Sequence, residues 1–384
     1  MTSFLNQKLI AASFTALCSA TLMTACGGGS GDAGSANANT ASKTAASNQA
    51  MPSSSQAVNP TPAQTANGKM VLAYYSDYPN NFSSLSKYAA NVNAVAVDFW
   101  NISSSGDISG NGAAAPDNAM AFLKARGIAI YGCISNVDDG GNWSSAIAHD
   151  VSVTNRAIAI ANLVAFAQAN GMAGINIDFE NVDQGDRANM SAFSADLASA
   201  LHANGLKLIM TVPAFSEKDE SNPYNYGFDL AALGKSADFL QIMTYDEAIP
   251  AWDPGPVAGS DWMENDLDYA VSKAPASKIL NGIPAYGYDW TKPGTGSQLY
   301  WRQTAALIKQ YGVTPRYDAA SNSLTFNYTA SDGSGNHTVW TENAASVTLK
   351  ASLVSAYGLG GTSVYAFGME DGNFWKGVNA GLQK

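Results

Sequence analysis

From Lys69 onward, short runs rich in β-branched residues alternate with longer segments of helical periodicity. This alternation is typical of βα units, in which helices connect the strands of a parallel sheet. Eight such runs predict an α/β fold of the (β/α)₈ TIM-barrel type, with an open doubly wound sheet as the alternative. No glycine-rich phosphate loop follows a strand, so the sequence does not support a nucleotide site in such a sheet. The predicted strands are Met70–Tyr75, Ala94–Phe99, Ile128–Ile134, Gly174–Phe179, Lys207–Val212, Phe239–Thr244, Lys278–Ile283 and Ser363–Phe367.

Helical patterns separate these strands, and the longest gap lies before the last strand. Gly171 and Gly205 follow two of the helices, as expected for left-handed C-terminal stops. Between the seventh and eighth strands, two alternating segments flank Asp332-Gly333-Ser334-Gly335, which predicts a small insertion containing a β-hairpin. The hairpin segments are Ser323–Tyr328 and His337–Thr341, and the predicted helices include Asn155–Asn170, Arg187–Asn204, Trp262–Lys273 and Ala344–Tyr357.

The fourth predicted strand ends in acidic residues. Because successive side chains of a strand point to opposite faces, Asn176, Asp178 and Glu180 share one face, and Ile175 and Ile177 lie on the other. A polar edge, a metal site and acid catalysis could each explain the pattern. In a (β/α)₈ barrel, however, the C-terminal ends of the strands carry the active site, which favours catalysis. Neighbouring carboxyls push their pKa values apart, so that one can remain protonated as an acid.

Composition narrows the choice of partners. The net charge is −11 and no basic block occurs, which argues against nucleic acid and anionic membrane surfaces and suits a neutral substrate. The histidines, His149, His202 and His337, lack zinc-ligand spacing, so we expect neither a metal nor another cofactor. Cys133 is the single thiol beyond the leader and is expected to be a small core residue.

The N-terminal segments differ from the barrel in composition. Residues 1–26 have the apolar run of an export signal, and Leu22-Met23-Thr24-Ala25-Cys26-Gly27 resembles a bacterial lipoprotein signal with lipid attached at Cys26. An ordinary secretory signal is the alternative. Residues 27–68 are rich in small and polar residues, which predicts a disordered tether, and 69–384 would form the catalytic barrel. We therefore expect a monomer anchored by lipid to the bacterial envelope, with the outer membrane favoured by analogy because Gly27 follows the cysteine.

The acidic strand also resembles a known family. Gly174-Ile175-Asn176-Ile177-Asp178-Phe179-Glu180 resembles the fourth-strand motif of glycoside hydrolase family 18, the chitinase-like barrels, whose usual form is Asp-Gly-x-Asp-x-Asp-x-Glu. Ala173 and Asn176 depart from that form. The Asn variant is most similar to the branch of spore-cortex and spore-germination N-acetylglucosaminidases. Further similar segments end other strands, namely Ile134-Ser135-Asn136, Thr211-Val212-Pro213-Ala214, Ile242-Met243-Thr244-Tyr245-Asp246-Glu247 and Gly282-Ile283-Pro284-Ala285-Tyr286-Gly287-Tyr288-Asp289-Trp290.

The resemblance implies roles for individual residues. Glu180 would be the general acid, with a pKa raised by burial and by Asp178. The substrate's own acetamido oxygen would attack the anomeric carbon, Asp178 would orient the acetamido N–H, and Tyr245 would hold its carbonyl. Asn176 cannot accept a proton, so we expect Asp178 to be more permanently ionised than in relatives with Asp at that position. The residues expected to bind substrate are Asn176, Met243, Asp246, Tyr286, Tyr365 and Trp100.

These features predict a retaining glycosidase that cleaves β-1,4 linkages of glycans containing N-acetylglucosamine, either chitin or peptidoglycan. One alternative is a non-catalytic, carbohydrate-binding surface lipoprotein on the same barrel. A second alternative is a metal-dependent hydrolase that uses Asp178, Glu180 and Asp246.

Overall fold

The computed structural model describes residues 68–216 and 222–383 of the chain. The predicted signal, 1–26, and the predicted tether, 27–68 apart from its last residue, lie outside the described residues. No helix in the described ranges is both long and apolar enough to cross a membrane.

Eight parallel strands form a closed barrel, as the sequence predicts. The strand order is β1-β14-β8-β7-β6-β5-β4-β2, and pairing of β2 with β1 closes the ring. A short strand, β3 (Ile108–Gly110), extends β2 in antiparallel fashion. The barrel strands are β1 (Met70–Tyr75), β2 (Ala94–Ile102), β4 (Ala129–Ser135), β5 (Gly174–Asp178), β6 (Lys207–Pro213), β7 (Phe239–Met243), β8 (Ile279–Pro284) and β14 (Gly361–Tyr365).

Helices follow the barrel strands and cover the outside of the barrel. The helix Arg156–Ala169 is followed by Gly171 at φ 59°, and the helix Arg187–His202 by Gly205 at φ 70°, which confirms both predicted glycine stops. The helices are α1 (Asn81–Tyr88), α2 (Asp117–Ala125), α3 (Ser145–Ser152), α4 (Arg156–Ala169), α5 (Arg187–His202), α6 (Pro223–Tyr226), α7 (Leu230–Ser236), α8 (Ser260–Lys273), α9 (Trp301–Tyr311), α10 (Ala344–Ala356) and α11 (Gly372–Leu382).

Strand alternation sorts the core into two layers. On β2, Val95, Val97 and Phe99 join the large cluster between strands and helices, whereas Ala94 and Ala96 join the smaller cluster inside the barrel. The same alternation on β5 places Ile175 and Ile177 outside. Inward side chains near the C-terminal ends of these strands therefore meet at one mouth of the barrel.

The insertion between β8 and β14 is larger than the predicted hairpin. Its five antiparallel strands pair in the order β10-β9-β13-β12-β11. The predicted hairpin is confirmed as the pair β12 and β13. Asp289 of the neighbouring strand β9 accepts a hydrogen bond from Tyr328 (2.5 Å) and lies 2.8 Å from His337 Nδ1. The insertion strands are β9 (Tyr286–Trp290), β10 (Gly296–Tyr300), β11 (Arg316–Asp318), β12 (Ser323–Thr329) and β13 (Asn336–Thr341).

Candidate active site

Strand β5 delivers the acidic residues to the mouth of the barrel. Asn176 is fully buried below the mouth, where its Oδ1 accepts from Tyr74 (2.9 Å) and its Nδ2 donates to Thr211 (2.8 Å). These bonds satisfy both ends of the amide, so Asn176 is a fixed part of the barrel interior. Asp178 is the last residue of β5 and lies one step nearer the mouth.

Asp178 has few polar partners. Its Oδ2 lies 3.9 Å from the thiol sulfur of Cys133, which is a weak donor. Its Oδ1 is buried and has no hydrogen-bond partner among the described residues. A buried carboxyl oxygen without a donor is costly in the ionised form, so this oxygen is available to a ligand that brings an N–H or O–H group.

Glu180 follows the strand and is held in place by its backbone. Its N–H donates to Asn136 Oδ1 (2.9 Å), and Asn136 Nδ2 donates back to its carbonyl (2.8 Å). Asn181 adopts φ 53° and turns the chain immediately afterwards. The Tyr224 hydroxyl, from α6, donates to Glu180 Oε2. The carboxyl group therefore has a defined direction and one bound donor.

Burial sets the protonation of both acids. It raises the pKa of Glu180 to about 7, with a contribution from Asp246, while the Tyr224 hydrogen bond lowers it. Burial, Glu180 and then Asp98 raise the pKa of Asp178 well above its usual range. The raised pKa of Glu180 agrees with the expected effect of burial, whereas the neighbouring acid that contributes is Asp246 and not the expected Asp178. The expectation that Asp178 is more permanently ionised than in relatives with Asp at position 176 stays a prediction; in this chain burial and two neighbouring acids, Glu180 and Asp98, favour its protonated form.

Tyr245 lies just beyond the end of β7, and Met243 is the last residue of that strand. The Tyr245 ring packs against Gly282, where an added Cβ would lie only 2.6 Å from the ring. Its centroid is 6.3 Å from that of Tyr286 and 6.0 Å from that of Tyr365. Burial raises the Tyr245 pKa well above its usual range, so the hydroxyl keeps its proton and can donate.

Asp246 is bound by two tyrosines of the insertion. It adopts φ 65°, and its Oδ1 accepts from Tyr286 (2.7 Å) and Tyr288 (2.6 Å). Burial raises its pKa while the two hydroxyls lower it. Strand β9 thus ties the insertion sheet to the residues that follow β7.

Tyr365 ends β14 and completes the aromatic wall. Its hydroxyl lies 3.1 Å from that of Tyr78, and its ring centroid is 5.5 Å from that of Tyr74. The peptide bond to Ala366 is cis. The site therefore combines partly exposed carboxyls on one side with tyrosine rings on the other, at the C-terminal end of the strands.

Comparison with known proteins identifies this arrangement. The sequence profile of Glycosyl hydrolases family 18 matches residues 70–370. The chain belongs to glycoside hydrolase family 18. It is accordingly a glycoside hydrolase with a chitinase-like TIM barrel.

Three relatives show the range of similarity to this family 18 chain. A chitinase of Chromobacterium violaceum of known crystal structure is 65% identical, with a TM-score of 0.81, over 82% of this chain and 99% of that chain. An uncharacterized glycosylase, YvbX, of Bacillus subtilis is 35% identical over 82% of this chain and 92% of that protein. A cortical fragment-lytic enzyme of Bacillus anthracis is 29% identical over 63% of this chain and 57% of that protein.

Trp100 does not lie with the family 18 site residues. The sequence places it after the second strand, but β2 continues to Ile102, and a bulge shifts the register between Asp98 and Trp100. Because of the bulge, Trp100 pairs with outward-facing Ile134 and packs edge-on against Phe166 of α4, with ring centroids 5.0 Å apart. This packing does not support the predicted contact of Trp100 with substrate, which stays a prediction.

Two residues of the family 18 site were missed by the sequence analysis. Asp98 lies on the inward face of β2, in line with Ala94 and Ala96, and the alternation argument used for β5 would have found it. Tyr224 lies on the four-residue helix α6, after the fifth barrel strand β6. No periodic pattern marks a helix of that length, so the sequence carries no signal for its contact with Glu180.

The cluster in this family 18 chain is not shaped for a metal. Within 68–216 and 222–383, no group of three or more His, Cys, Asp or Glu side chains is arranged to hold an ion. The site carboxyls are instead hydrogen-bonded by hydroxyl groups, from Tyr224 to Glu180 and from Tyr286 to Asp246.

Proposed function

We propose that this family 18 enzyme cleaves β-1,4 linkages adjacent to N-acetylglucosamine with retention of configuration, using the substrate's acetamido group as nucleophile. The observation that carries the proposal is the pKa of Glu180, about 7, in a carboxyl that faces the mouth of the barrel. Such a group is protonated in a useful fraction at neutral pH and can give its proton to a leaving oxygen.

Glu180 is the proposed general acid. Tyr224 occupies Oε2 as a donor, so the proton resides on Oε1, which is the oxygen left to meet the glycosidic oxygen. After the bond breaks, the Glu180 carboxylate can take a proton from the water that opens the oxazolinium intermediate. Asn136 binds both the N–H and the carbonyl oxygen of Glu180, which keeps the carboxyl in position through both steps.

Asp178 and Tyr245 are proposed to hold the acetamido group. The buried, partnerless Oδ1 of Asp178 matches the acetamido N–H, and the Tyr245 hydroxyl matches its carbonyl oxygen. Bound in this way, the carbonyl oxygen is directed toward the anomeric carbon. The positive charge that develops on the oxazolinium ring would favour ionisation of the buried Asp178, whose negative charge would in turn stabilise the ring.

The remaining residues are proposed to form the sugar site. Tyr365 and Met243 would form its floor, and Asp246 with Tyr286 would contact sugar hydroxyls. Tyr365 and its neighbours Tyr78 and Tyr245 are partly exposed and offer apolar faces of the kind that pack on pyranose rings. Asn176 lies below this site, held by Tyr74 and Thr211.

For the substrate, we propose chitin or chitooligosaccharides rather than peptidoglycan. The relative with 65% identity is described as a chitinase, whereas the cortical fragment-lytic enzyme is 29% identical. We also propose that lipid on Cys26 attaches the protein to the bacterial envelope. Metabolic labelling with palmitate, compared between wild type and Cys26→Ser, tests this attachment.

The test of substrate assistance compares two fluorogenic disaccharides. Methylumbelliferyl di-N-acetylchitobioside should be hydrolysed, whereas the matching cellobioside, which lacks both acetamido groups, should not. NMR of the first product should show the β-anomer before mutarotation. Equal turnover of the cellobioside, or initial release of the α-anomer, would exclude the acetamido group as nucleophile.

A further inference from the structure

A serine, a histidine and an aspartate of the insertion are linked in that order by hydrogen-bond distances. The Ser334 hydroxyl oxygen lies 2.8 Å from His337 Nε2, and His337 Nδ1 lies 2.8 Å from Asp289 Oδ1. Ser334 belongs to the turn between β12 and β13, His337 to β13, and Asp289 to the neighbouring strand β9. Acyl transfer by a serine needs a base within hydrogen-bond distance of the hydroxyl and a third group that orients the base. Both distances meet this requirement.

These three residues lie apart from the proposed glycosidase site. Asp289 follows Tyr288 along β9, so its side chain points to the opposite face of the insertion sheet from the tyrosine that binds Asp246. Tyr328 lies on this opposite face, where its ring stacks on that of Tyr311 from α9, with centroids 4.4 Å apart. Chemistry at this cluster is therefore independent of the barrel mouth.

The surroundings of His337 favour its role as a base. Burial raises the pKa of the Tyr328 hydroxyl, which keeps its proton and donates it to Asp289 Oδ2 (2.5 Å). Asp289 Oδ1 is then left to accept from His337 Nδ1–H, which places the lone pair of Nε2 toward Ser334. The His337 ring stacks on Tyr328, with centroids 4.5 Å apart, and the side chains of His337 and Asp289 are each only 12% exposed. The imidazole is therefore held in one orientation.

Ser334 is open to solvent. It is exposed and lies between Gly333 (φ 89°) and Gly335 (φ 95°), and a Cβ added to either glycine would meet no atom within 4 Å. A small reagent can therefore reach the hydroxyl. The hydroxyl has a second acceptor, Asp332 Oδ1, at 2.6 Å. Because the hydroxyl carries one proton, Asp332 competes with His337 for it.

We propose that Ser334, His337 and Asp289 form a second catalytic site, which hydrolyses short-chain acyl esters. Ser334 Oγ bonds to the ester carbonyl carbon while its proton passes to His337 Nε2. The bond from that carbon to the alcohol oxygen breaks, and the alcohol leaves with the proton from Nε2. Water then gives a proton to Nε2 and attacks the acyl-serine. The carboxylic acid is released, and Ser334 Oγ regains its proton.

The full-length protein can be tested with p-nitrophenyl acetate and with a fluorophosphonate, which bonds to an activated serine and releases fluoride. Wild type should hydrolyse the ester at least about tenfold faster than Ser334→Ala or His337→Gln. One fluorophosphonate should add per chain, and peptide mass spectrometry should find it on Ser334. Asp332→Asn should increase the ester rate, because a neutral amide competes less well with His337 for the hydroxyl proton.

Ser105→Ala is the matched control, because Ser105 is also exposed and donates to an aspartate, Asp107 (2.7 Å), but has no histidine beside it. It should hydrolyse the ester as wild type does. Turnover of the chitobioside by Ser334→Ala should equal that of wild type, which verifies its fold and separates the two activities. An ester rate in wild type no higher than in Ser334→Ala, or fluorophosphonate on other residues only, would overturn the second site. Loss of the ester rate in Asp332→Asn but not in His337→Gln would overturn the assignment of His337 as the base.

Discussion

The Tyr224 hydroxyl controls the acid strength of Glu180, and Tyr224→Phe tests this control. The hydroxyl donates to Glu180 Oε2 and lowers the pKa of that carboxyl, against a burial effect that raises it to about 7. A hydrogen bond to a charged group contributes about 1.5–3 kcal/mol, and one pKa unit corresponds to about 1.4 kcal/mol. Loss of the donor should therefore raise the pKa by about one unit, since part of the bond energy remains in the protonated form.

The direction of this pKa change determines which limb of the pH profile should move. A higher pKa keeps Glu180 protonated to higher pH, so the basic limb of kcat/KM on the chitobioside should move up by about one unit. At pH 8, the fraction of the plateau activity that remains should be about fivefold larger in the variant than in wild type. The plateau itself should fall several-fold, because a weaker acid gives up its proton less readily.

Tyr226→Phe is the matched control. Tyr226 lies on the same helix, is 40% exposed, and contacts Arg187 through its ring, which phenylalanine retains. Its basic limb should equal that of wild type. A basic limb in Tyr224→Phe that is unchanged, or that moves to lower pH, would refute the assignment of Tyr224 as the donor that sets the acidity of Glu180.

Three further predictions concern stability and binding. Glu180→Gln should raise Tm at pH 8 but not at pH 4. The pKa of Glu180 rises from 4.5 to about 7 on folding, so this carboxyl costs stability as pH rises through that interval. An equal Tm difference at both pH values would contradict this. Asp246→Ala should lower Tm by several degrees in scanning calorimetry, because it leaves the buried hydroxyls of Tyr286 and Tyr288 unpaired at about 1–3 kcal/mol each, whereas Asp246→Asn keeps an acceptor oxygen and should lower it less. Trp252, in the loop after β7, is 56% exposed. Trp252→Ala should therefore leave Tm unchanged and raise KM several-fold for chitohexaose but little for the disaccharide. Equal KM changes on both substrates would exclude an outer sugar contact.

The barrel was predictable because its strands and helices have different hydrophobic periods. The two-residue alternation on β5 also placed Asn176 apart from Ile175 and Ile177, as the two core layers confirm. The end of the second strand was misplaced before Trp100, because β2 continues to Ile102 through a bulge that reverses the face on which later side chains lie. A bulge has no reliable signal in a single sequence.

The electrostatics of the site depended on contacts that sequence spacing does not show. Asn176 indicates that one acid is absent, but only the fold reveals that Asp98, on a different strand, contributes to the raised pKa of Asp178. In the same way, the insertion was expected to contain one hairpin. Its strand β9 instead supplies both tyrosines that bind Asp246, although they lie 40 and 42 residues further along the chain.

The central claim is that Glu180 is the acid of a glycosidase acting on N-acetylglucosamine glycans. The most direct measurement is hydrolysis of the fluorogenic di-N-acetylchitobioside by wild type and Glu180→Gln, with EDTA present and with the fold of both verified by circular dichroism. We expect turnover by wild type and a kcat at least about a hundredfold lower in the variant. Equal turnover by the two proteins would contradict the assignment of Glu180, and loss of wild-type activity in EDTA would contradict a metal-free mechanism.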